Sequence, residues 1–531
     1  MADTVNTGRQ EPWRPSHNPW LIAMAVGLAA FMEILDTAIT IVALPHIAGN
    51  LGANLSEANW VMTSYLVANA IVLPISGFLA TSIGRKKFLL ICIIGFTLSS
   101  LFCGLSISLG MLLTSRVLQG ALGGGMQPAS QAILADSFPE EKRGQAFAVF
   151  GATVVLAPII APVLGGWITD NYSWRWMFYI NIPVGIATSI MTLRLVEDPP
   201  YITRIKRLKQ NIDYIGMALL ALGLGSLQVM LDKGQEDDWL SSNFIVTLLV
   251  IFLASVLVFV VYELRHKAPV VDLRLFKNFN YSMICISMFF AGVVLYGSNL
   301  SLPEYLQTIL GYTAQLAGIV LTPAGVVSAI LLPVVGVLCG KVPLKWLILL
   351  GWIAMCTSLL YSTQLITMEL DFHSAIIMRI YQAIGLAFLF VPLTSAAYFG
   401  IPESKNNEIS GMVNLMRNIG GSVGTSLIAT VIDRRSQLHM NNLVTHATTF
   451  DLPWRHMAQG LTMHFHASGY SMAVGRQKAL ATMARLTSAQ AITLSYADLF
   501  WLLGTISLIF VILSFFIPRN TPQAGGGVAV H

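Results

Sequence analysis

Residues 20–44 read WLIAMAVGLAAFMEILDTAITIVAL, an apolar run in which only Glu33 and Asp36 carry charge. A helix of roughly 20 apolar residues is long enough to cross the hydrocarbon core of a bilayer. The run is longer than a signal-peptide core, and the sequence PHI follows it instead of a small-residue cleavage site. We therefore expect it to remain in the protein as a first membrane-spanning helix.

Similar apolar runs recur along the whole chain, separated by short polar breaks. The 531 residues are 55% hydrophobic and 11% charged, and the mean hydropathy is +0.69, which excludes an ordinary soluble globular protein. We predict an all-α polytopic membrane protein that has no soluble catalytic domain and is not an enzyme. The predicted spans lie at 20–44, 58–80, 88–108, 110–135, 145–168, 176–196, 213–231, 243–264, 280–308, 313–338, 345–366, 374–400, 409–432 and 497–517, which makes fourteen.

Lysine and arginine predict the orientation, because cytoplasmic loops of membrane proteins are enriched in both. One set of short loops holds only Arg175 and Lys233. The other set, together with both tails, holds Arg9, Arg14, Arg85, Lys86, Lys87, Lys142, Arg143, Arg194, Arg204, Lys206, Arg207, Lys209, Arg265, Lys267, Arg274, Lys277, Lys341, Lys345, Lys405 and Arg519. We expect a protein of the cell inner membrane with both termini in the cytoplasm. The net charge of +5 then reflects topology and not nucleic-acid binding.

Two pairs of matching motifs lie about 260 residues apart. They are IVLPISGFL (71–79) with ILLPVVGVL (330–338), and Arg116-Val-Leu-Gln119 with Arg379-Ile-Tyr-Gln382. The alternative is chance similarity between apolar helices. A true repeat predicts two parallel six-helix bundles with two additional central helices between them, a design that transporters use for alternating access. The predicted units are a tail (1–19), a first bundle (20–196), two inserted helices (197–278), a second bundle (279–517) and a tail (518–531).

Six charged residues fall inside predicted spans and away from the span ends: Glu33, Asp36, Arg116, Glu304, Arg379 and Arg417. Charge in a membrane is costly and usually functional. Glu33 and Asp36 are three residues apart and share a helix face, so burial and mutual repulsion favour keeping one of them protonated. We predict that they couple transport to proton uptake. The alternative is a static pair of Asp36 with Arg116 or with backbone amides.

The remaining intramembrane polar groups predict a substrate cavity. We assign Glu304, Arg379, Gln119 and Gln382 to it. The alternative for the two matching arginines is a bracing role in the repeat, and Glu304 follows Pro303 close to the end of its span. Arg417 is explained equally well as a buried brace against a carbonyl.

Two further motifs concern helix geometry. A loop motif with Gly77, Gly84, Arg85 and Lys86 is expected to anchor the topology and to form a latch between the halves. An antiporter motif in span five has Pro158, Pro162, Gly165 and Gly166. Prolines bend a helix and paired glycines permit close helix approach; the alternative is a tolerated kink.

The segment 433–496 is the one large extramembrane piece that we predict, and we expect it to be helical and to offer a docking surface. It holds five histidines, but their spacing suits no metal site. The five cysteines have no CxxC pair and are expected to be packing residues. Because GxxxxGK[ST] and HExxH motifs are missing from the sequence, we expect no cofactor and a proton gradient as the energy source.

These motifs resemble the major facilitator superfamily, in particular its fourteen-span drug:proton antiporter branch and the EmrB-type multidrug pumps. The residues that carry the resemblance are Leu35-Asp36-Thr37, Ala43-Leu44-Pro45, Arg116-Val-Leu-Gln119-Gly120, Pro162-Val-Leu-Gly165-Gly166, the run 174–183 and Gly311-Tyr312-Thr313-Ala314. The resemblance implies export of hydrophobic drugs, with Asp36 and Arg116 in proton coupling and spans one, four, nine and twelve lining the cavity.

The resemblance also implies partners, namely a periplasmic adaptor of the EmrA type and an outer-membrane channel of the TolC type. Two positions depart from the family pattern: Thr81 stands where the loop motif usually has aspartate, and Ala161 where glycine usually precedes the proline. Two other functions stay open at this point. One is the export of a single metabolite such as a siderophore, and the other is a non-transporting membrane sensor or scaffold.

Overall fold

The computed structural model describes residues 15–200, 213–266, 269–402, 405–445, 448 and 450–517. Its regular elements over these ranges are helices, of which seventeen are α-helices. They are α1 (Pro19–Leu51), α2 (Leu55–Ile83), α3 (Arg85–Gly104), α4 (Leu109–Gly123), α5 (Met126–Ser137), α6 (Glu140–Asn171), α7 (Trp176–Tyr179), α8 (Asn181–Leu195), α9 (Tyr214–Lys233), α10 (Asn243–Arg265), α11 (Phe279–Thr308), α12 (Ala314–Cys339), α13 (Leu344–Leu365), α14 (Phe372–Ala397), α15 (Asn406–Thr445), α16 (Leu452–Ala467) and α17 (Met472–Ser514).

Each of the predicted spans coincides with helical structure. Eleven helical segments in the described ranges are long and apolar enough to cross a membrane. The other three predicted spans are span four, which is divided between α4 and α5, span five, which is α6, and span thirteen, which is α15. The prediction of an all-α polytopic membrane protein is confirmed. Most of the residues predicted for the two tails, and the basic residues between 204 and 209, lie outside the described residues.

Span four is not the single helix that we predicted over 110–135. Helix α4 ends at Gly123 and α5 begins at Met126. A Cβ atom on Gly124 would lie 2.6 Å from the carbonyl oxygen of Asn69, and one on Gly125 would lie 2.5 Å from the ring of Phe88. The run of three glycines therefore lets the backbone of α2 and the Phe88 ring of α3 lie directly against the chain where the helix breaks.

The helices form two bundles and a separate pair. Helices α1 to α8 pack on one another, as do α11 to α15 with α17. The bundles meet where α6 packs on α12 and where α2 packs on α15. Helix α9 packs on α2, α15 and α10, whereas α10 has few neighbours besides α9. The arrangement is two six-span bundles with two additional helices, as predicted.

The helical core has two ends, which we name by their charge. The basic side is the end where α2 meets α3, α12 meets α13 and α14 meets α15, and where Arg85, Lys341 and Lys405 lie. The opposite side is the other end. On the basic side the rings of Phe147 and Tyr398 stack across the two bundles with their centroids 5.4 Å apart.

Helices α15 and α17 are too long to lie wholly within a membrane. They contain 40 and 43 residues, which corresponds to roughly 60 Å each at about 1.5 Å per residue, against about 30 Å of hydrocarbon. They therefore project beyond the core on the opposite side, where α16 packs on α17. We predicted that span thirteen ends at residue 432 and that span fourteen begins at residue 497. These limits mark a change of polarity along α15 and α17, and as helix ends they were wrong. The prediction that the segment 433–496 is largely helical is confirmed.

Candidate functional site

Asp36 lies at the centre of a closed polar cluster in the first bundle. Its Oδ2 atom accepts a hydrogen bond from Arg116 Nη1 at 2.6 Å. Its Oδ1 atom accepts from Gln119 Nε2 at 3.0 Å and from Asn181 Nδ2 at 2.6 Å. These four side chains are at most 1% exposed. One cation and two amide donors therefore satisfy both oxygen atoms of this buried carboxyl group.

The guanidinium group of Arg116 makes several contacts in addition to the one with Asp36. Its Nε atom donates to the carbonyl oxygen of Val61 at 3.1 Å, and its Nη1 atom also donates to Gln119 Oε1 at 2.7 Å. The guanidinium carbon lies 4.2 Å from the centroid of the Tyr65 ring, a distance typical of a cation–π contact. The static pair that we kept as an alternative for Asp36 is therefore present in this conformation.

Asn181 completes the cluster, and sequence reasoning assigned it no role. It is the first residue of α8, directly after the short α7, and it also donates to Ser100 Oγ at 3.0 Å. The available signal was its place in the run 174–183, which contributed to the family resemblance. A neutral amide side chain in a predicted membrane helix does not by itself indicate a functional role, because that role depends on which side chains surround it.

Glu33 has a different environment from Asp36, although both are on α1. Its Oε1 atom accepts from Asn69 Nδ2 at 2.9 Å. Its Oε2 atom is buried and has no hydrogen-bond partner among the described residues; the amide of Gln127 is nearby but not in bonding geometry. Glu33 is 3% exposed. It is thus a buried carboxyl group with half of its hydrogen-bonding capacity unused.

Glu33 is linked to the second bundle through Gln127 of α5 and Arg417 of α15. Arg417 Nη2 donates to Gln127 Oε1 at 2.6 Å across the interface between the bundles. The charges of Arg417 and Glu33 are close enough to interact electrostatically. Arg417 therefore does brace against a carbonyl, but that carbonyl belongs to a side chain of the other bundle.

Two of the three predicted cavity residues of the second bundle lie together, and the third lies apart from them. Arg379 and Gln382 are buried in α14, and Arg379 Nη1 donates to Gln382 Oε1 at 2.6 Å. Glu304 is exposed, close to the end of α11 on the opposite side. The structure therefore brings Gln119 to Asp36 and Gln382 to Arg379, and it leaves Glu304 outside both groups.

The loop motif takes part in contacts that join the bundles on the basic side. Arg85 forms a buried ion pair with Asp136, the acid at the end of α5. Asp136 also accepts from Asn406 Nδ2 of the second bundle at 2.6 Å. The backbone of Gly84 has a φ of 93°, which favours glycine, and Lys86 Nζ donates to the carbonyl oxygen of Leu193 at 2.6 Å.

Thr81 also makes a contact that joins the two bundles on the basic side. Its hydroxyl oxygen accepts from Asn407 Nδ2 of α15 at 2.9 Å. A Cβ atom on Gly77 would lie 2.8 Å from the carbonyl oxygen of Asn407, so the glycine permits this approach. The position where the family usually has aspartate therefore makes a neutral contact with the second bundle.

The antiporter motif lies away from the tight contact between α6 and α12. Pro158 is exposed, Gly165 is buried, and a Cβ atom on Gly166 would meet nothing within 4 Å; the side chain of Pro162 lies outside the described residues. The close approach instead occurs at Gly144 and Gly336 on the basic side. A Cβ atom on either of them would lie 2.7 Å from the carbonyl oxygen of the other.

Two parallel helical bundles that pack against each other, with buried acids and arginines inside them, define a multi-pass transporter of the membrane. The chain belongs to the Major Facilitator Superfamily, which its residues 26–425 match. It is 36% identical to the multidrug export protein EmrB of Escherichia coli K12 over 511 residues, 96% of this chain and 98% of that protein. This confirms the resemblance that the sequence motifs indicated.

A second relative and a solved structure agree with this assignment. The fatty acid resistance protein FarB of Neisseria gonorrhoeae is 36% identical over 453 residues, 85% of this chain and 88% of that protein. The proton:xylose symporter XylE is similar in fold, with a TM-score of 0.62 over 95% of this chain and 96% of that one. Only 14% of the aligned residues are identical, so this likeness supports the fold alone.

Proposed function

We propose that the chain is a proton-coupled multidrug exporter that removes hydrophobic toxic compounds from the cell. Its similarity to the multidrug export protein EmrB extends over nearly the whole of both chains, which supports a shared activity. The observation that carries the proton coupling is Glu33, a carboxyl group buried where the bundles meet and half unpartnered. Export of this kind requires no cofactor, because the proton gradient supplies the energy.

Glu33 and Asp36 have separate tasks in this proposal. Glu33 takes up the proton, because it is buried and its Oε2 atom has no hydrogen-bond partner among the described residues, so the Asn69 amide, the nearby Gln127 amide and the charge of Arg417 compensate incompletely for burial of its ionised form. Asp36 pairs with Arg116 in this conformation and holds that side chain in place. When Glu33 becomes protonated, its attraction to Arg417 disappears, and the link between the bundles weakens. Proton uptake thereby favours the change of conformation.

The basic side is the cytoplasmic side in this proposal, since cytoplasmic loops are rich in lysine and arginine. Both termini then lie in the cytoplasm and the membrane is the inner membrane. The contacts of Asp136 with Asn406 and of Thr81 with Asn407 close the cytoplasmic entrance. The conformation is consequently closed on its cytoplasmic side.

The projecting ends of α15 and α17, together with α16, would then lie in the periplasm. We propose that they contact a periplasmic adaptor of the EmrA type, which connects the exporter to an outer-membrane channel of the TolC type. Exposed apolar side chains on this projection, among them Phe450, Met457 and Met463, support a protein-binding surface. The cavity would be lined by Gln119, Glu304, Arg379 and Gln382.

Transport into proteoliposomes tests the proposal. The purified full-length protein is reconstituted, a pH gradient is imposed with the lumen acidic, and accumulation of a hydrophobic fluorescent dye is followed. We expect accumulation that stops when the gradient is collapsed with nigericin. Accumulation that persists without a gradient would refute proton coupling, and a protein that moves no hydrophobic dye under any gradient would be a sensor or scaffold.

A further inference from the structure

The two bundles contain the same arginine–glutamine contact in different surroundings. Arg116 Nη1 lies 2.7 Å from Gln119 Oε1, and Arg379 Nη1 lies 2.6 Å from Gln382 Oε1. Each arginine is on a matching helix and three residues before its glutamine. The first arginine has Asp36 as a counter-ion at 2.6 Å. The second arginine needs an equivalent group to balance its charge.

Arg379 has no counter-ion among the described residues. It is 6% exposed, its hydrogen bond to Gln382 is to a neutral amide, and no acidic group there is close enough to interact with its charge. The part of α11 about 260 residues after Asp36, residues 295–299, reads LYGSN and contains no acid. Glu304 is exposed and does not pair with it.

This asymmetry is physically costly unless something compensates for it. A buried charge without a partner is strongly destabilising, and proteins normally pair it or place it where a ligand pairs it. Arg417, the third arginine predicted to lie inside the membrane, interacts with Glu33. Arg379 thus differs from both of the other intramembrane arginines.

The orientation of Gln382 leaves part of the guanidinium group available. Its Nε2 atom points towards Ser362 Oγ, at 3.5 Å, and its Oε1 atom therefore faces Arg379. Only Nη1 of Arg379 is used in this contact. The remaining N–H groups of a guanidinium form a planar fork that fits a carboxylate or a similar oxyanion.

We propose that Arg379 is the residue that binds the anionic group of transported carboxylates, and that it determines the preference of the site for anionic over cationic hydrophobic molecules. Gln382 acts as a positioning residue that orients the guanidinium. This assignment rests on the proposed export function, because it makes Arg379 part of the substrate site. The two proposals can nevertheless be tested separately, since binding is measured without any proton gradient.

Two probes with the same ring and opposite charge provide the test: 1-naphthaleneacetate and 1-naphthylmethylammonium. Equilibrium dialysis with the purified full-length protein in detergent gives the dissociation constants. We expect Arg379→Gln to weaken naphthaleneacetate binding at least tenfold and to leave the ammonium probe within twofold. Arg379→Lys should retain part of the affinity, since it keeps the charge but loses the planar fork.

A second variant covers the case in which Arg379→Gln does not fold. Gln382→Glu places a carboxylate where Gln382 Oε1 now lies, so it should compete with the ligand and weaken naphthaleneacetate binding at least tenfold. Arg175→Gln is the matched control, because Arg175 is on the opposite side and is held by Asn50 Oδ1 and the carbonyl oxygen of Ser106. It should change the binding of neither probe.

Two outcomes would overturn the inference: wild-type protein that does not bind the anion, or an Arg379→Gln protein that binds both probes as the wild type does or loses both equally. Failure of the proposed function looks different. A wild-type protein that binds naphthaleneacetate through Arg379 but transports nothing under a pH gradient contradicts the exporter proposal and leaves the anion site standing.

Discussion

Arg417 Nη2 lies 2.6 Å from Gln127 Oε1, and this hydrogen bond joins the two bundles beside the half-unpartnered carboxyl group of Glu33. The bond brings the second bundle's cation next to an acid of the first bundle near the middle of the membrane. A change in the charge of Glu33 therefore acts directly on the contact that the bundles must break to move. In this arrangement, proton uptake by Glu33 changes the strength of the contact between the two bundles.

Glu33→Gln should abolish gradient-driven transport while exchange of substrate without a gradient continues. Glutamine has nearly the same shape as protonated glutamic acid, and its side-chain oxygen can still accept from Asn69. Uptake and counterflow of a hydrophobic dye in proteoliposomes measure the two activities. Glu369→Gln, at an exposed acid in the connection between α13 and α14, is the control and should keep both. Gradient-driven uptake at the wild-type rate in Glu33→Gln would show that Glu33 does not carry the proton.

Asp36→Asn should lower the stability of the protein as well as its transport. The substitution leaves Arg116 buried without a counter-ion, which typically costs about 3–5 kcal/mol. Thermal unfolding in detergent should show a lower Tm for Asp36→Asn, and Asp36→Asn combined with Arg116→Met should recover most of the loss without recovering transport. If the single variant unfolds at the wild-type temperature, the buried pair does not stabilise this conformation.

The sequence predicted the positions of the spans because length and apolar content determine which segments cross a membrane. It missed the break at Gly124 because hydropathy does not reveal that the backbone of Asn69 lies against that glycine. The acids of the site could be found because charge is rare in membrane helices. Their amide partners Asn69 and Asn181 could not, since only the folded structure shows which neutral side chains reach a carboxyl group.

Thr81→Asp should strengthen the latch on the basic side. Asn407 Nδ2 would donate to a charged acceptor instead of a hydroxyl oxygen, and such a bond is worth about 1 kcal/mol more. Spin labels at residues 140 and 341 report the separation of α6 and α12 on that side. We expect a larger population with a short distance, and slower transport. Thr81→Val removes the acceptor and should shift both quantities the other way; identical distance distributions in the two variants would exclude a latch at this position.

Alanine at two glycines of α6 should have different effects on stability. Gly144→Ala would place a Cβ atom 2.6 Å from Cys339 Cβ and should cost about 1–3 kcal/mol through overpacking. Gly166→Ala should leave the free energy of unfolding nearly unchanged, because nothing lies within 4 Å of the added atom. Denaturant unfolding of both variants measures the difference. A stable Gly166→Ala protein that no longer transports would indicate that the antiporter motif makes its contacts in another conformation.

Replacing exposed apolar residues of the projection should separate transport from drug resistance. Phe450 is 90% exposed, and Met457 and Met463 are also exposed, so changing them to serine or glutamine leaves the packing of the helical core intact. We expect the triple variant to transport normally in proteoliposomes, which need no adaptor. Cells that express it with an EmrA-type adaptor should lose most of their resistance, because the contact surface has become polar. A triple change of Leu253, Leu257 and Val258 to alanine on the exposed face of α10 is the matched control. Full resistance in the projection variant, with the adaptor still recovered in its complex, would place the docking surface elsewhere.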